Sequence, residues 1–508
     1  MSYYEQAVPP VRDQRLKIGD SFAGSACELL DCAKAGCMLR GNRMFWQTGA
    51  CQMGLTLMMA ATVEGAAIVM HGPIGCGTQL HALSVQTNKG KARRGKVPSP
   101  PAWLSTNLQE SEVIGGGEQK LRETILYADR EFRPQIIFVV ATCAPNIIGD
   151  DVEEIVAQVG KSTAAHVVSL HCPGFKSRVV ASAYDAFYHG LLRHLPLEPE
   201  PWRDFVPLDG NSPQAGMERK KYEFQKSRTV NLWNATSIGA NDEDELVRLL
   251  GALGLKVRVF AEYANADELR LVSQAALNVS MCNVHDDYML SFLKEKFGTP
   301  YIVAGMPLGF ADTRRWLCAI AAHFGLEREA GRLADAEEAS ARAAIEPFLP
   351  KIRGKRALLC GGVVRVGSEA LMLEELGMNV LGLRAYHYDD GAEPIFEQLA
   401  GALPDIRVAV SNQLFELCNQ VKKLKPDLVI SHMGTQGTLA KLGVPSVQLF
   451  DADKSFFGYS GLFSLLRRIA FAFENTSYQE RLAAHVKFPY RDSWYEKDAF
   501  YYIKNQER

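Results

Sequence analysis

Short apolar runs alternate with amphipathic stretches along most of the chain, and glycine, proline and polar clusters mark the junctions between them. In the first third, Ala66–Met70, Gln135–Val140 and His166–Leu170 predict strands, and Glu118–Tyr127 and Asp151–Val159 predict helices between them. The segment Pro196 to Ser212, rich in proline and charge, predicts a linker. A second block follows, with strands at Val230–Leu232, Val257–Phe260, Leu277–Met281 and Tyr301–Val303 and a helix at Glu243–Leu253. It closes on a charged helical run, Glu327 to Ala344, whose charges suit a solvated face. The third block carries Ala357–Cys360, Asn379–Gly382, Val408–Val410, Leu428–Ser431 and Ser446–Phe450. Strands alternating with helices imply right-handed crossovers and parallel sheets. The expected fold is α/β: three Rossmann-like domains, residues 1–212, 213–350 and 351–508, around a central cleft.

Composition narrows the function classes. At 508 residues the chain is too long for one core, and 47% hydrophobic residues allow several. A formal net charge of −2 supplies no basic field for nucleic acid. Eleven scattered cysteines fit a reducing cytoplasm better than a disulfide scaffold. Met1 to Lys17 is polar and charged, unlike a secretory leader. The apolar stretch Met53 to Met70 contains Glu64, Gly54 and Gly65, so it predicts a buried helix running into a strand, and no membrane span is expected.

Three cysteines change the picture. Cys51, Cys76 and Cys143 are placed where the chain turns at a sheet edge: Cys76 in His71-Gly-Pro-Ile-Gly-Cys76-Gly after a strand, Cys143 in Ala141-Thr-Cys143, which directly follows Ile136 to Val140. Any one alone would read as a small buried apolar residue. Together, at strand ends flanked by glycine, they point to thiolates gripping one iron–sulfur core. Other motifs are plainer. Gly361-Gly362 lacks the dinucleotide spacing and predicts a strand-to-helix turn, and Gly115-Gly116-Gly117 predicts a turn at a helix start. Lys89 to Lys96 is a basic patch, read as an exposed loop or as a docking contact for an anionic partner. Cys27, Cys32 and Cys37 are expected to be helical packing residues, with no metal assigned.

The segments His71 to Gly77, Asn107 to Lys120 and Thr142 to Asp151 resemble the catalytic-component subunits of nitrogenases and nitrogenase-like reductases, the nitrogenase component 1 family, in order over about Cys51 to Gly461. The resemblance implies that Cys51, Cys76 and Cys143 hold a P-cluster-type 8Fe–7S or related bridging cluster shared with a homologous beta/K-like subunit in a heterotetramer. It implies that Cys282, after the strand Leu277–Met281, holds one end of a large active-site iron–sulfur cofactor of unknown heterometal. An ATP-dependent iron protein with a 4Fe–4S cluster would supply electrons, consistent with this chain lacking a phosphate-loop motif.

Departures from the family pattern are informative. Phe450, after Gly443-Val-Pro445, stands where a histidine would hold the cofactor's far end, and Val180 and Tyr184 stand where a glutamine and a histidine are expected. A lysine is replaced near Gly434 or Thr435, Ser84 stands for an arginine, and Arg365 is the candidate surviving basic group. His387 and His432, at strand ends, could supply a ligand or a proton, or be satisfied structural histidines, and His81 has the same ambiguity. An apolar wall of Phe450, Tyr184 and Val180 suits a small thioether, and the chain looks most similar to methylthio-alkane reductases, which release methanethiol and a hydrocarbon. A cofactor-assembly scaffold, an alternative nitrogenase and a tetrapyrrole reductase are the alternatives.

Overall fold

The computed structural model describes residues 3–38, 51–177, 179–197, 213–235, 242–411, 413–431, 434–449, 454–499 and 501; of residues 79, 81 and 82 it describes the backbone. The chain groups into two compact units, one from residues 1–15, 50–281 and 285–303, the other from 16–49, 282–284 and 304–508.

In the first unit, four parallel strands lie in the order Ala102–Ser105, Ala66–His71, Ile136–Ala141, His166–His171. All six side chains of Ile136–Ala141 are buried, because both faces of the sheet are covered. Ile136, Phe138 and Val140 enter one core with Leu57 of the helix Gln52–Thr62 and Phe187 of the helix Ser182–His194. Ile137, Val139 and Ala141 enter another, with Leu121 and Ile125 of the helix Glu118–Phe132 and Ile155 of the helix Val152–Val159. This two-sided burial explains a run that is apolar throughout rather than alternating. Burying Phe138 alone contributes about 2–3 kcal/mol. Register aligns His71 with Ala141 and Ala141 with His171, so three strands end level.

A second parallel sheet in the same unit runs Tyr301–Val303, Leu277–Ser280, Thr229–Trp233, Lys256–Phe260. The sheets expected in residues 1–212 and 213–350 thus share one unit. Trp233 is anchored there by its indole N–H, which donates to Asn278 Oδ1 at 3.0 Å.

Besides a separate two-stranded sheet that pairs Ile18–Gly19 with Tyr388–Asp389, the second unit has a main sheet of six strands in the order Ser446–Gln448, Leu428–Ser431, Arg356–Gly361, Asn379–Ala385, Arg407–Val410, Phe22–Ser25. The last pair is antiparallel, a departure from the all-parallel expectation: Phe22–Ser25 comes from the N-terminal segment and needs no crossover helix to reach the edge. A helix, Ala26–Ala35, begins at a capping box formed by Ser25 and Glu28. Gly36, at φ 69°, ends it in the left-handed region that glycine tolerates. Cys37 therefore lies beyond the helix rather than in it, and it is disulfide-bonded to Cys32 across the helix end, correcting the packing role expected for this pair. Gly361 ends a strand and Gly362 caps the helix Val363–Glu375, the turn expected from the sequence.

The basic segment is not the exposed loop expected. Lys89 to Arg93 complete the helix Gln79–Arg93, since lysine and arginine favour helix and Gly90 alone does not break it. Lys91 donates to the Ser99 carbonyl at 2.9 Å, Arg94 to Glu243 at 2.8 Å, and Lys96 lies 2.9 Å from Glu64. Arg94 also covers the ring of Tyr263 at 3.9 Å, so much of this positive charge is spent internally. No helix among the described residues is long and apolar enough to cross a membrane.

Candidate metal centre

The turns after Ala66–His71 and Ile136–Ala141 carry Cys76 and Cys143; Cys51, read from the sequence as another sheet-edge turn, instead starts a helix. Cys76 sits in a 3-10 turn, Ile74–Thr78, five residues past the first strand. Cys143 opens the helix Cys143–Ile148, and Cys51 occupies the N-cap position of Gln52–Thr62 with no side-chain cap bond.

The corners are fixed by contacts that sequence spacing does not reveal. A Cβ on Gly72 would lie 2.0 Å from Thr142 Oγ1, so only glycine lets the turn leading to Cys76 close on the turn leading to Cys143. Thr142 Oγ1 then donates to the His71 carbonyl at 2.8 Å. His71 is fully buried; Thr106 Oγ1 is 3.1 Å from its Nδ1 and Asp150 is 2.9 Å from its Nε2. The same carboxylate accepts the Gly117 N–H at 2.9 Å, which gives the glycine turn its purpose. The His71–Asp150 geometry would suit an ion pair, but burial lowers the His71 pKa despite the opposing Asp150 charge. The ring is therefore neutral and donates its Nε2–H.

The third strand end completes the pocket. A Cβ on Gly174 would fall 2.9 Å from Cys51 Cβ, 3.0 Å from Cys51 Sγ and 3.8 Å from Cys143 Sγ. Gln52 Nε2 donates to the Pro173 carbonyl at 2.6 Å, tying Cys51 to this turn. Burial, then the neighbouring Cys143 and Cys51 thiols, push the Cys76 thiol up. Crowding that opposes ionisation of Cys76 in this way favours a cationic core that takes up its charge. The residues present thus fit a thiolate-held metal–sulfur group. Among the described residues no three His, Cys, Asp or Glu side chains close on a single ion. Cys172, buried in Cys172-Pro-Gly174, was missed by sequence reasoning although it follows a strand as Cys143 does. Burial pushes its thiol well up, and Cys51, Cys143 and Cys76 add in the same direction.

The other expected site residues sit on separate elements. Cys282 is 3% exposed and immediately precedes the helix Asn283–Phe297. Tyr184 lies buried in Ser182–His194, its ring stacked on His285 with centroids 4.0 Å apart and planes at 11°; Val180 is half-buried in the turn before that helix. His285 escaped the sequence reading because a lone histidine carries no spacing signal. Arg365, on Val363–Glu375, lies near Glu369 one turn along. Burial raises the Glu369 pKa well above its usual range and Arg365 opposes the rise. His387 Nε2 lies 3.4 Å from Asp389 Oδ2. His432 and Phe450 fall outside the described residues, as does the His81 side chain.

Parallel α/β sheets whose turns bring several thiols together suit a protein that holds an iron–sulfur group. Residues 51–474 match the family model Nitrogenase component 1 type Oxidoreductase, and the chain belongs to that family. It is similar to the nitrogenase molybdenum-iron protein alpha chain of Methanothermobacter marburgensis, at 26% identity over 84% of this chain and 88% of that one. It is similar at 25% identity, over 83% and 82%, to the nitrogenase iron-molybdenum cofactor biosynthesis protein NifE of a Nostoc species. The fold matches the solved structure of nitrogenase Cp1 at pH 5, with a TM-score of 0.70 over 89% of this chain and 92% of that one at 20% identity. The chain is therefore a nitrogenase-type subunit, of the catalytic or the cofactor-biosynthesis kind.

Proposed function

We propose that the chain is the catalytic subunit of a nitrogenase-like reductase that cleaves carbon–sulfur bonds of small methylthio-alkanes, giving methanethiol and hydrocarbon. The observation that carries the proposal is the convergence of Cys51 and Cys143 beside Gly174, with Cys76 in electrostatic reach. These thiolates would hold one side of a P-cluster-type bridging cluster, and a homologous beta/K-like subunit would supply the other side. Cys282 would hold one end of the larger cofactor. Metal–sulfur groups of this type supply low-potential electrons at a site where protons and substrate meet.

The chain's own residues do the positioning. Thr142, His71 and Asp150 fix the corners bearing Cys76 and Cys143. Gln52 fixes Cys51. Val180, Tyr184 and Phe450 replace the polar groups that the resemblance expects at the cofactor, a substitution that favours a neutral thioether over a charged acid. Arg365, His387 and His432 are the candidate basic and proton-bearing groups. An ATP-dependent iron protein would deliver electrons in the cytoplasm.

The test is turnover by the anaerobically purified complex with its iron protein and ATP. Methanethiol release from methylthio-alkanes is expected; efficient dinitrogen reduction without methanethiol would sink the proposal. The similarity to the NifE biosynthesis protein favours one second reading, a cofactor-assembly scaffold. A scaffold would carry both cluster types, show no turnover, and give up its larger cluster to an acceptor protein.

A further inference from the structure

Two of the eleven cysteines stand apart from the rest: Cys32 and Cys37 are joined to each other, while the other nine are free. The loop they close lies at the carboxyl end of the helix Ala26–Ala35, and its shape is set by the main chain. With Gly36 in the left-handed region, the Cys37 N–H donates to the Cys32 carbonyl at 3.0 Å and the Gly36 N–H to the Ala33 carbonyl at 3.1 Å. These are the two bonds of a Schellman cap, in which the residues at the positions of Cys32 and Cys37 ordinarily meet through an apolar contact. Here both are cysteine, and their Cα atoms lie 5.1 Å apart, within the span that a disulfide bridges. Cys27, at the same sequence spacing before Cys32, is free, because an uninterrupted helix turns such a pair apart.

The backbone bonds of the cap do not depend on the sulfur bond. Reduction therefore leaves two thiols side by side at a high effective concentration, ready to rejoin. Linkage makes the help mutual: as the cap favours the disulfide, the disulfide favours the cap. Met38, just beyond, is seated on Gly19, where an added Cβ would lie 2.9 Å from Met38 Cβ. The loop is also open to reagents, since Lys34, Ala35, Gly36 and Cys37 are exposed and Cys32 is half-buried. An exposed disulfide in a chain whose other cysteines are free thiols fits the labile, redox-responsive kind rather than the staple of a small secreted domain.

We infer that Cys32 and Cys37 form a reversible thiol–disulfide site that exchanges with small thiols and disulfides of the glutathione class, and that its oxidised form tightens the end of the helix. In oxidation, the exposed Cys37 thiolate attacks one sulfur of a glutathione-type disulfide, giving a mixed disulfide and one free thiolate. The Cys32 thiolate then attacks Cys37 Sγ and displaces the second. One sulfur–sulfur bond forms in the chain as one breaks in the reagent, two electrons pass to the reagent, and the protons lost by the cysteines end on its two thiols. Two small thiols run the same steps in reverse. None of this depends on Cys51, Cys76 or Cys143.

The experiment equilibrates the anaerobically purified, partner-bound holoprotein in mixtures of reduced and oxidised glutathione, then alkylates and digests it with trypsin. Cleavage after Lys34 parts the two cysteines, so the disulfide appears as a linked pair of peptides, residues 18–34 and 35–40, with Cys27 alkylated. The linked pair is expected to rise and fall reversibly with the buffer, and amide hydrogen exchange over residues 33–38 to slow in the oxidised form. Cys32→Ser should trap glutathione on Cys37 as a mixed disulfide, with iron content equal to wild type. Gly36→Ala should lower the ratio of linked to unlinked pair about fivefold in a fixed buffer, because alanine resists this backbone conformation. A pair that never links, a pair that stays linked in every buffer, or exchange that is the same in both forms overturns the inference. Iron loss in Cys32→Ser does so too, by making the pair metal ligands, whereas an iron-free wild type would defeat the cluster reading and leave this site standing.

Discussion

A Cβ on Gly174 would lie 2.9 Å from Cys51 Cβ, closer than real Cβ atoms come, and 3.0 Å from Cys51 Sγ. Gly174→Ala should therefore push Cys51 out of line with Cys143. The expected result is a lower iron content per chain after anaerobic isolation, with far-ultraviolet circular dichroism unchanged. Full iron occupancy in the variant would show that Cys51 is not a ligand held in this turn.

Asp150 accepts from two buried donors, His71 Nε2–H and Gly117 N–H. Asp150→Ala strands both and should cost about 2–4 kcal/mol in denaturant unfolding. Asp150→Asn keeps one acceptor oxygen and should cost less.

Arg12 is fully buried against Asp287 at 2.7 Å and Asp185 at 3.5 Å. Removing it leaves carboxylates with little solvent, so Arg12→Ala should cost about 3–5 kcal/mol. Arg12→Met with Asp287→Asn should cost less than the single change, because the pair is then lost together. Thermal unfolding of the three proteins checks the order.

Burial lowers the His189 pKa to about 4, against a usual value of 6.5. The unfolded chain therefore binds the extra proton first, so stability falls as pH drops from 6.5 toward 4 and no further below that. The contribution lost at pH 5 is about 2 kcal/mol. His189→Gln should flatten this slope relative to wild type. The comparison between the two proteins matters, because Glu262 and Asp286, which burial raises to about 7, act with the opposite sign. Parallel slopes would show that His189 does not titrate as argued.

Legibility in the sequence followed burial. Ile136–Ala141 was plain because both of its faces are covered, so every residue is apolar. Ala102–Ser105 was missed: it follows Pro100 and Pro101, ends its sheet and is half-buried, so it shows neither a run nor an alternation. Phe22–Ser25, with three small residues and an edge position, left as little trace. The positions of Cys76 and Cys143 just past strands were legible because strand ends and glycine are local signals, whereas Cys51 starts a helix. The surroundings of Cys172 and His285 were not legible, since they depend on what folds nearby: Cys51 for one, Tyr184 and Asn234 for the other.

The strand Phe22–Ser25 covers the outer backbone of Arg407–Val410. Trimming a recombinant version to begin near residue 26 would bare a row of amide and carbonyl groups ready to recruit another molecule. Expression tags are accordingly safest when they leave the opening segment intact, and proteolytic clipping there should convert well-behaved material into precipitate.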